Sequence, residues 1–88
     1  MKNLGDSWAT GSGIFETIRV EDNQVFGLHR HHCRAKESAE KIGLTIPSEE
    51  FVADESHQII NSEDFKVGRL RWHFSADGEF TISYTPYE

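Results

Sequence analysis

A row of basic side chains near the C-terminus is the most concentrated set of groups that could bind an anion. Arg69, Arg71 and His73 alternate with apolar residues. In an extended strand they therefore project from one face, at intervals of about 7 Å. Guanidinium groups bind carboxylates and phosphates through paired hydrogen bonds. The row predicts either an anion-binding surface or the solvent-facing side of an antiparallel sheet, because one exposed face is common in such sheets.

One carboxylate stands within an apolar row. Glu16 lies between Ile14 and Ile18, and strand alternation puts the three side chains on the same face. An unpaired carboxylate on a buried face is strongly destabilising. Glu16 therefore needs a partner, and an arginine of the other hairpin is the partner we expect. This pattern favours a buried ion pair over acid–base catalysis.

The run from His29 to Cys33 contains groups that bind zinc. His29, His32 and Cys33 lie three and four positions apart on a predicted helix, and imidazole and thiolate are zinc ligands. No second pair with metal-ligand spacing accompanies them, and His32 falls in the apolar stripe of the helix. We interpret Cys33 as a small apolar filler, with zinc binding kept as an alternative.

Composition and charge restrict the partners of the chain. Its 88 residues suffice for one domain with a modest core. The net charge of -6 repels phosphate backbones and anionic lipid surfaces, so neither nucleic acid nor a membrane is an expected partner. The single cysteine cannot form an internal disulfide, and no apolar run has the length of a signal segment or a membrane span. We expect a cytoplasmic protein.

The N-terminal half reads as a loose lead-in followed by a hairpin. Residues 1–12 show no hydrophobic period and are expected to form a loose lead-in whose order depends on a neighbour. Residues 14–20 alternate strictly, which predicts a strand with Phe15, Thr17 and Arg19 on the face opposite the apolar one. Asp22-Asn23 then predicts a two-residue turn, after which residues 25–28 pair back.

A helical period follows the hairpin. Leu28, His32, Ala35, Ala39 and Ile42 recur at spacings of three and four, which predicts a helix over residues 30–42 with this stripe buried. Gly43 stands where a left-handed cap is expected. A second helix is predicted from a Ser48 cap to the region of Asn61.

The final segment predicts the clearest hairpin. Asp77-Gly78 has the sequence of a type I′ turn between two alternating strands. The predicted order is ββααββ, an α+β fold in which two helices pack on one side of an antiparallel sheet. Residues 13–88 are expected to form this one domain.

Three segments together resemble a known family. GSGIFETIRV, then His31-x-x-Arg34 at the head of a helix ending in SAEKIGL, and then GRLRWHFSADG are similar to the small N-terminal domain of the class IV pyridoxal-phosphate (PLP) enzymes. That family includes branched-chain and D-amino-acid aminotransferases and 4-amino-4-deoxychorismate lyase. The resemblance covers about residues 9–84, and the sequence FETIR favours the lyase and mixed-specificity branch over the branched-chain enzymes.

The resemblance implies site residues. Arg34 would bind the PLP phosphate, while Phe15, Thr17 and Arg19 would line the substrate side of the pocket. Arg71 matches a strand position that carries a cation near the substrate carboxylate in some members. Arg19, Arg34 and Arg71 are accordingly expected to face a common anion-binding side.

The resemblance also implies what lies elsewhere. In this family the lysine that forms the Schiff base belongs to a second, larger domain, and none of Lys2, Lys36, Lys41 and Lys66 matches it. We therefore expect no catalytic residue here, no activity from this chain alone and no retained PLP. The expected function is that of a domain or fragment of a PLP-dependent aminotransferase or aminodeoxychorismate-lyase-like enzyme. Its expected partners are the large PLP domain, a small amino or carboxylic acid and a second copy of the chain. The alternative is a stand-alone, non-catalytic α+β module for dimerisation or small-acid binding.

Overall fold

The computed structural model describes the backbone of residues 7–10 and the whole of residues 13–87. The described residues form these elements in chain order: β1 (Ser7–Thr10), β2 (Gly13–Glu21), β3 (Gln24–Val25), α1 (Leu28–Lys41), α2 (Glu49–Asn61), β4 (Val67–Ser75) and β5 (Phe80–Pro86). The predicted order ββααββ is confirmed from β2 to β5, and β1 precedes it.

The strands form one antiparallel sheet in the order β1-β2-β4-β5, with β3 paired to β2. The two long strands β2 and β4 lie at its centre and pair in register from Gly13 opposite Ser75 to Glu21 opposite Val67. Because β2 and β4 are joined through both helices, residues distant in sequence meet across the middle of the sheet. The register therefore decides which polar side chains become neighbours.

The core lies between one face of the sheet and the two helices. Its buried side chains from the sheet include Ile14, Ile18, Leu70, Trp72 and Phe74, and those from the helices include Ala35, Ala39, Val52 and Ile60. The indole Nε1 of Trp72 donates a hydrogen bond of 2.9 Å to Ser56 Oγ of α2. This bond satisfies the polar atom of the largest buried side chain, which would otherwise be costly to bury. The predicted α+β class, with helices on one side of the sheet, is confirmed.

The helix ends follow the capping rules. Ser48 accepts a hydrogen bond of 3.2 Å from the amide of Phe51, as predicted for an N-cap. Gly43 has a φ of 71°, a left-handed conformation that glycine adopts without steric cost. Ile42, expected in the buried stripe, is 45% exposed instead because α1 ends at Lys41.

The N-terminal segments differ in part from the predictions. Residues 7–10, within the lead-in whose order was expected to depend on a neighbour, form strand β1 on β2; residues 1–6, 11 and 12 lie outside the described residues. The strand expected over residues 25–28 ends at Val25, because Gly27 turns the chain with a φ of 72° directly into α1. The two-residue turn predicted at Asp22-Asn23 is confirmed, and both residues are left-handed, with φ values of 50° and 64°.

The type I′ turn predicted at Asp77-Gly78 is wrong, because the loop between β4 and β5 is longer than two residues. β4 ends at Ser75 and β5 begins at Phe80, which leaves residues 76–79 in the connection. The amide of Ser75 donates to the carbonyl of Glu79 at 2.7 Å, and Gly78 has a φ of 97°.

In the described part of the chain, neither helix is both long and apolar enough to cross a membrane.

Candidate functional site

The face of the sheet opposite the helices carries most of the predicted site residues. It is called the open face here and comprises the side chains of Phe15, Thr17, Arg19, Arg69, Arg71 and His73. Across the central strand pair, Phe15 lies opposite His73, Thr17 opposite Arg71 and Arg19 opposite Arg69. Four predicted site residues, Phe15, Thr17, Arg19 and Arg71, thus share one surface. Their convergence follows from strand alternation combined with the β2–β4 register.

Arg71 occupies the middle of the open face. Its neighbours across the sheet are Thr17 on β2 and Ser83 on β5. Its side chain is exposed, and among the described residues no ion-pair or hydrogen-bond partner is found for it. A guanidinium group flanked by two hydroxyl-bearing residues is suited to bind a carboxylate through two parallel hydrogen bonds.

A flat aromatic surface lies beside Arg71. The rings of Phe15 and His73 stack with centroids 4.2 Å apart and an angle of 4° between their planes. Both side chains are partly exposed. The stacked pair places aromatic ring surface next to Arg71 on the open face.

Arg19 and Arg69 form a separate group towards the other end of the open face. Arg19 Nη2 lies 2.6 Å from Glu21 Oε2, so its charge is compensated within the strand. The guanidinium carbons of Arg19 and Arg69 lie 5.4 Å and 4.6 Å from the centre of the Tyr87 ring. Tyr87 was not among the predicted site residues, although continued alternation from Thr85 would have placed its side chain on this face.

Arg34 does not join the open face. Its Nη2 donates to Oε1 of Glu16 at 3.2 Å, on the side of the sheet covered by the helices. The same carboxylate oxygen accepts a hydrogen bond of 2.7 Å from Nδ1 of His31, and Glu16 is fully buried. The expectation of a common side for Arg19, Arg34 and Arg71 is therefore wrong for Arg34.

The origin of Glu16's partner also differs from the prediction. A buried ion pair was expected and is found, but α1 supplies Arg34 and His31 in place of an arginine from the other hairpin. The His31-x-x-Arg34 spacing puts both side chains on the same face of α1, above Glu16. That spacing could have identified His31 as a second partner of Glu16.

The described residues do not by themselves form a site that fits PLP. An imine with the cofactor needs an amine held in an enclosed site. Lys36, Lys41 and Lys66, the lysines among the described residues, are all exposed. Among the described residues, no lysine is held in such an enclosed site.

The zinc alternative is not supported. Within the described ranges, no group of three or more histidine, cysteine, aspartate or glutamate side chains could hold a metal ion. His32 Nε2 bonds to the Pro47 carbonyl at 2.9 Å, and His29 Nδ1 bonds to Glu49 at 2.7 Å. Cys33 is exposed, so its interpretation as a buried apolar filler is wrong.

Comparison with known proteins gives a consistent result. The family described as amino-transferase class IV matches residues 13–87. A Schizosaccharomyces pombe (strain 972) protein that carries the provisional name aminodeoxychorismate lyase is 30% identical over 77 residues, which cover 88% of this chain and 32% of that protein.

Two solved structures share the fold. A crystal structure provisionally named 4-amino-4-deoxychorismate lyase superposes with a TM-score of 0.81 and 24% identity, covering 89% of this chain and 32% of that one. One with the same provisional name, from Haemophilus somnus 129PT, has a TM-score of 0.66 and 19% identity, covering 92% of this chain and 43% of that one. The chain spans about a third of the length of the curated relative that it matches.

Proposed function

This chain belongs to the class IV aminotransferase family, which is PLP-dependent, and from that premise we propose that it is the small, substrate-facing domain of an aminodeoxychorismate-lyase-like enzyme. The complete enzyme would act on an amino acid or an amino-chorismate. The S. pombe relative, with its provisional lyase name, supports this branch of the family. We also propose that the complete protein is cytoplasmic and assembles as a homo-oligomer.

One observation carries the proposed role of the open face. Arg71 presents an exposed guanidinium group between Thr17 and Ser83, with no partner found for it among the described residues. In a chain with a net charge of -6, such a group is a selective position for an anion. We assign it to the carboxylate of the substrate.

The other residues of the open face would orient the substrate. The Phe15–His73 stack provides a flat surface for a planar or apolar body, and Thr17 provides a hydroxyl group beside Arg71. Arg19, held by Glu21, would limit the extent of the pocket at one end of the open face. Packing of a second domain over this face would exclude water and strengthen each of these polar contacts.

The cofactor contributes chemistry that this chain does not supply. When bound, PLP provides an aldehyde that condenses with an amine and a ring that withdraws electrons. From this chain, Arg34 is the residue that the resemblance assigns to the cofactor phosphate, and 44% of its side chain is exposed. Its pairing with Glu16 would fix the orientation of the guanidinium group.

Binding of an aromatic carboxylate to the 88-residue chain tests the role of the open face. In an amide-resolved NMR titration with benzoate, we expect saturable shifts centred on Thr17, Arg71 and Ser83. Benzamide, which lacks the charge, should cause much smaller shifts. The variant Arg71→Gln should abolish the benzoate shifts, whereas Arg30→Gln, at an exposed position of α1, should retain them.

Shifts centred away from the open face, or shifts unchanged in Arg71→Gln, would contradict the proposal.

The DNA beyond the codon for Glu88 tests the assignment to an enzyme. A continuing frame that encodes a strand-borne lysine supports the enzyme, and a stop codon followed by unrelated sequence supports a stand-alone module.

A further inference from the structure

Cys33, His29 and Glu49 form a connected line across the two helices, away from the open face. Cys33 Sγ lies 3.5 Å from Nε2 of His29, and Nδ1 of the same ring lies 2.7 Å from Oε1 of Glu49. Cys33 and His29 are one turn apart on α1, but Glu49 belongs to the first turn of α2. Packing of α1 against α2 is therefore required to complete the arrangement.

The chemistry of the three groups fixes the direction of the hydrogen bonds. A carboxylate can only accept, so the ring nitrogen that faces Glu49 carries the hydrogen. In the neutral ring, Nε2 then has a free electron pair directed at the thiol of Cys33. His29 is thus positioned as a base for the thiol and is oriented by Glu49. A nucleophile, a base and an orienting group in this order constitute an activated nucleophile.

A surface groove of about 480 Å³ adjoins the thiol. Leu44, Ile46 and Pro47 provide an apolar wall, and Lys36 lines the same groove. Lys36 follows Cys33 by three positions on α1, so the two side chains project from neighbouring positions of the helix surface. The groove therefore combines a nucleophile, a cation and an apolar surface, and it suits a ligand with an electrophilic carbonyl group and a hydrocarbon chain.

We propose that Cys33 is a covalent modification site for α,β-unsaturated carbonyl compounds that carry an apolar chain. The sulfur forms a bond to the β-carbon, the carbon–carbon π bond breaks, and its electron pair moves into the enolate. The thiol proton passes to His29 Nε2 and then to the α-carbon, which yields a saturated thioether. The addition consumes no other reactant. Lys36 stabilises the negative oxygen of the enolate, and the apolar wall binds the chain.

This site is independent of the proposed function, because none of its residues belongs to the open face. The sequence contains one cysteine, so the mass of the intact chain reports modification at a single position. The experiment measures the second-order rate of adduct formation at pH 7 with trans-2-nonenal and with acrolein, which lacks the long chain. Each rate is divided by that of glutathione with the same reagent.

The variant His29→Gln should react about tenfold more slowly than the natural chain at pH 7, because the base is lost from an exposed site. Glu49→Gln should also react more slowly, because the ring loses its orienting carboxylate. His57→Gln, which alters a histidine on α2 outside this groove, should react at the natural rate.

The groove is tested separately. Relative to glutathione, the natural chain should prefer trans-2-nonenal over acrolein, and Leu44→Ser should reduce that preference without changing the rate with acrolein. An unchanged rate in His29→Gln at pH 7 would overturn the role of the base. Equal normalised rates for the two aldehydes in the natural chain would overturn the assignment of the ligand class.

Discussion

Nδ1 of His31 lies 2.7 Å from Oε1 of Glu16, and that carboxylate is completely shielded from solvent. Arg34 bonds to the same carboxylate from one turn further along α1. The buried carboxylate of Glu16 on β2 thus connects the sheet to α1, the first helix between β2 and β4. This pairing explains how an acidic residue can stand within the apolar row of β2.

Removal of the Glu16 carboxylate should destabilise the fold. Loss of one partner from a buried ion pair leaves the other charged groups without compensation, so Glu16→Ala should lower the free energy of unfolding by about 3 kcal/mol. Urea denaturation monitored by circular dichroism measures the change. Glu40→Ala, at an exposed position of α1, should have an effect below about 0.5 kcal/mol. Equal stability of the two variants would show that the Glu16 contacts contribute nothing net.

Much of the open face could be predicted because a strand has a strict two-residue period. Alternation in β2 and β4 required Phe15, Thr17 and Arg19 to share a face, and it placed Arg71 with Arg69. The side of the sheet on which Arg34 lies could not be predicted in this way. A helical spacing fixes which residues share a face of α1, but it does not fix how α1 sits on the sheet.

The other features that the sequence did not predict also depend on contacts between residues distant in sequence. β1 is an edge strand that pairs with β2, and its four residues are too few to show a hydrophobic period. The contact between His29 and Glu49 joins residues 20 positions apart on different helices. No local spacing reports it. The type I′ turn predicted at Asp77-Gly78 is wrong because the strand register, which the dipeptide alone does not set, leaves four residues between β4 and β5.

The hydrogen bond between Trp72 and Ser56 gives a second stability prediction. Ser56 Oγ is buried and accepts the indole hydrogen of Trp72 at 2.9 Å. Ser56→Ala should leave that buried donor unsatisfied, which lowers the free energy of unfolding by about 2 kcal/mol. Chemical denaturation followed by tryptophan fluorescence provides the measurement. Ser62→Ala, at an exposed site, should cost much less, and a cost as large as that of Ser56→Ala would contradict the role of the buried bond.

The hydrogen bonds of the β4–β5 loop give a prediction about the pKa of Asp77. The hydroxyl of Ser75 donates to Asp77 at 2.7 Å, and this bond, followed by that from the Glu79 amide, lowers the pKa of Asp77. A lowered pKa in the folded state means that the associated stability is present above the ordinary aspartate range and is lost as the pH falls. Ser75→Ala should therefore raise the pKa of Asp77 towards its ordinary value in an NMR titration. Ser62→Ala is the matched serine control, and an equal rise in that variant would exclude the Ser75 bond as the cause.

Replacement of Tyr84 should stabilise the protein. The Tyr84 ring packs directly against Gly68, where a Cβ would overlap it, and its buried hydroxyl finds no hydrogen-bond partner among the described residues. Tyr84→Phe removes this unsatisfied group, so the free energy of unfolding at pH 7 should rise by about 1 kcal/mol. Tyr87→Phe alters an exposed ring and should change it by less than about 0.5 kcal/mol.

Tyr84→Phe should also change how the stability of the fold depends on pH in the alkaline range. Burial, and secondarily the charge of Glu63, raises the pKa of Tyr84 above its ordinary value. Between the ordinary tyrosine pKa near 10 and the raised value, the unfolded chain releases the proton while the folded chain keeps it. The stability contributed by protonated Tyr84 is therefore complete below pH 10 and decreases as the pH rises further. Urea midpoints measured from pH 8 to 11 should fall less steeply in Tyr84→Phe than in the natural chain, and parallel curves would show that Tyr84 titrates alike in both states.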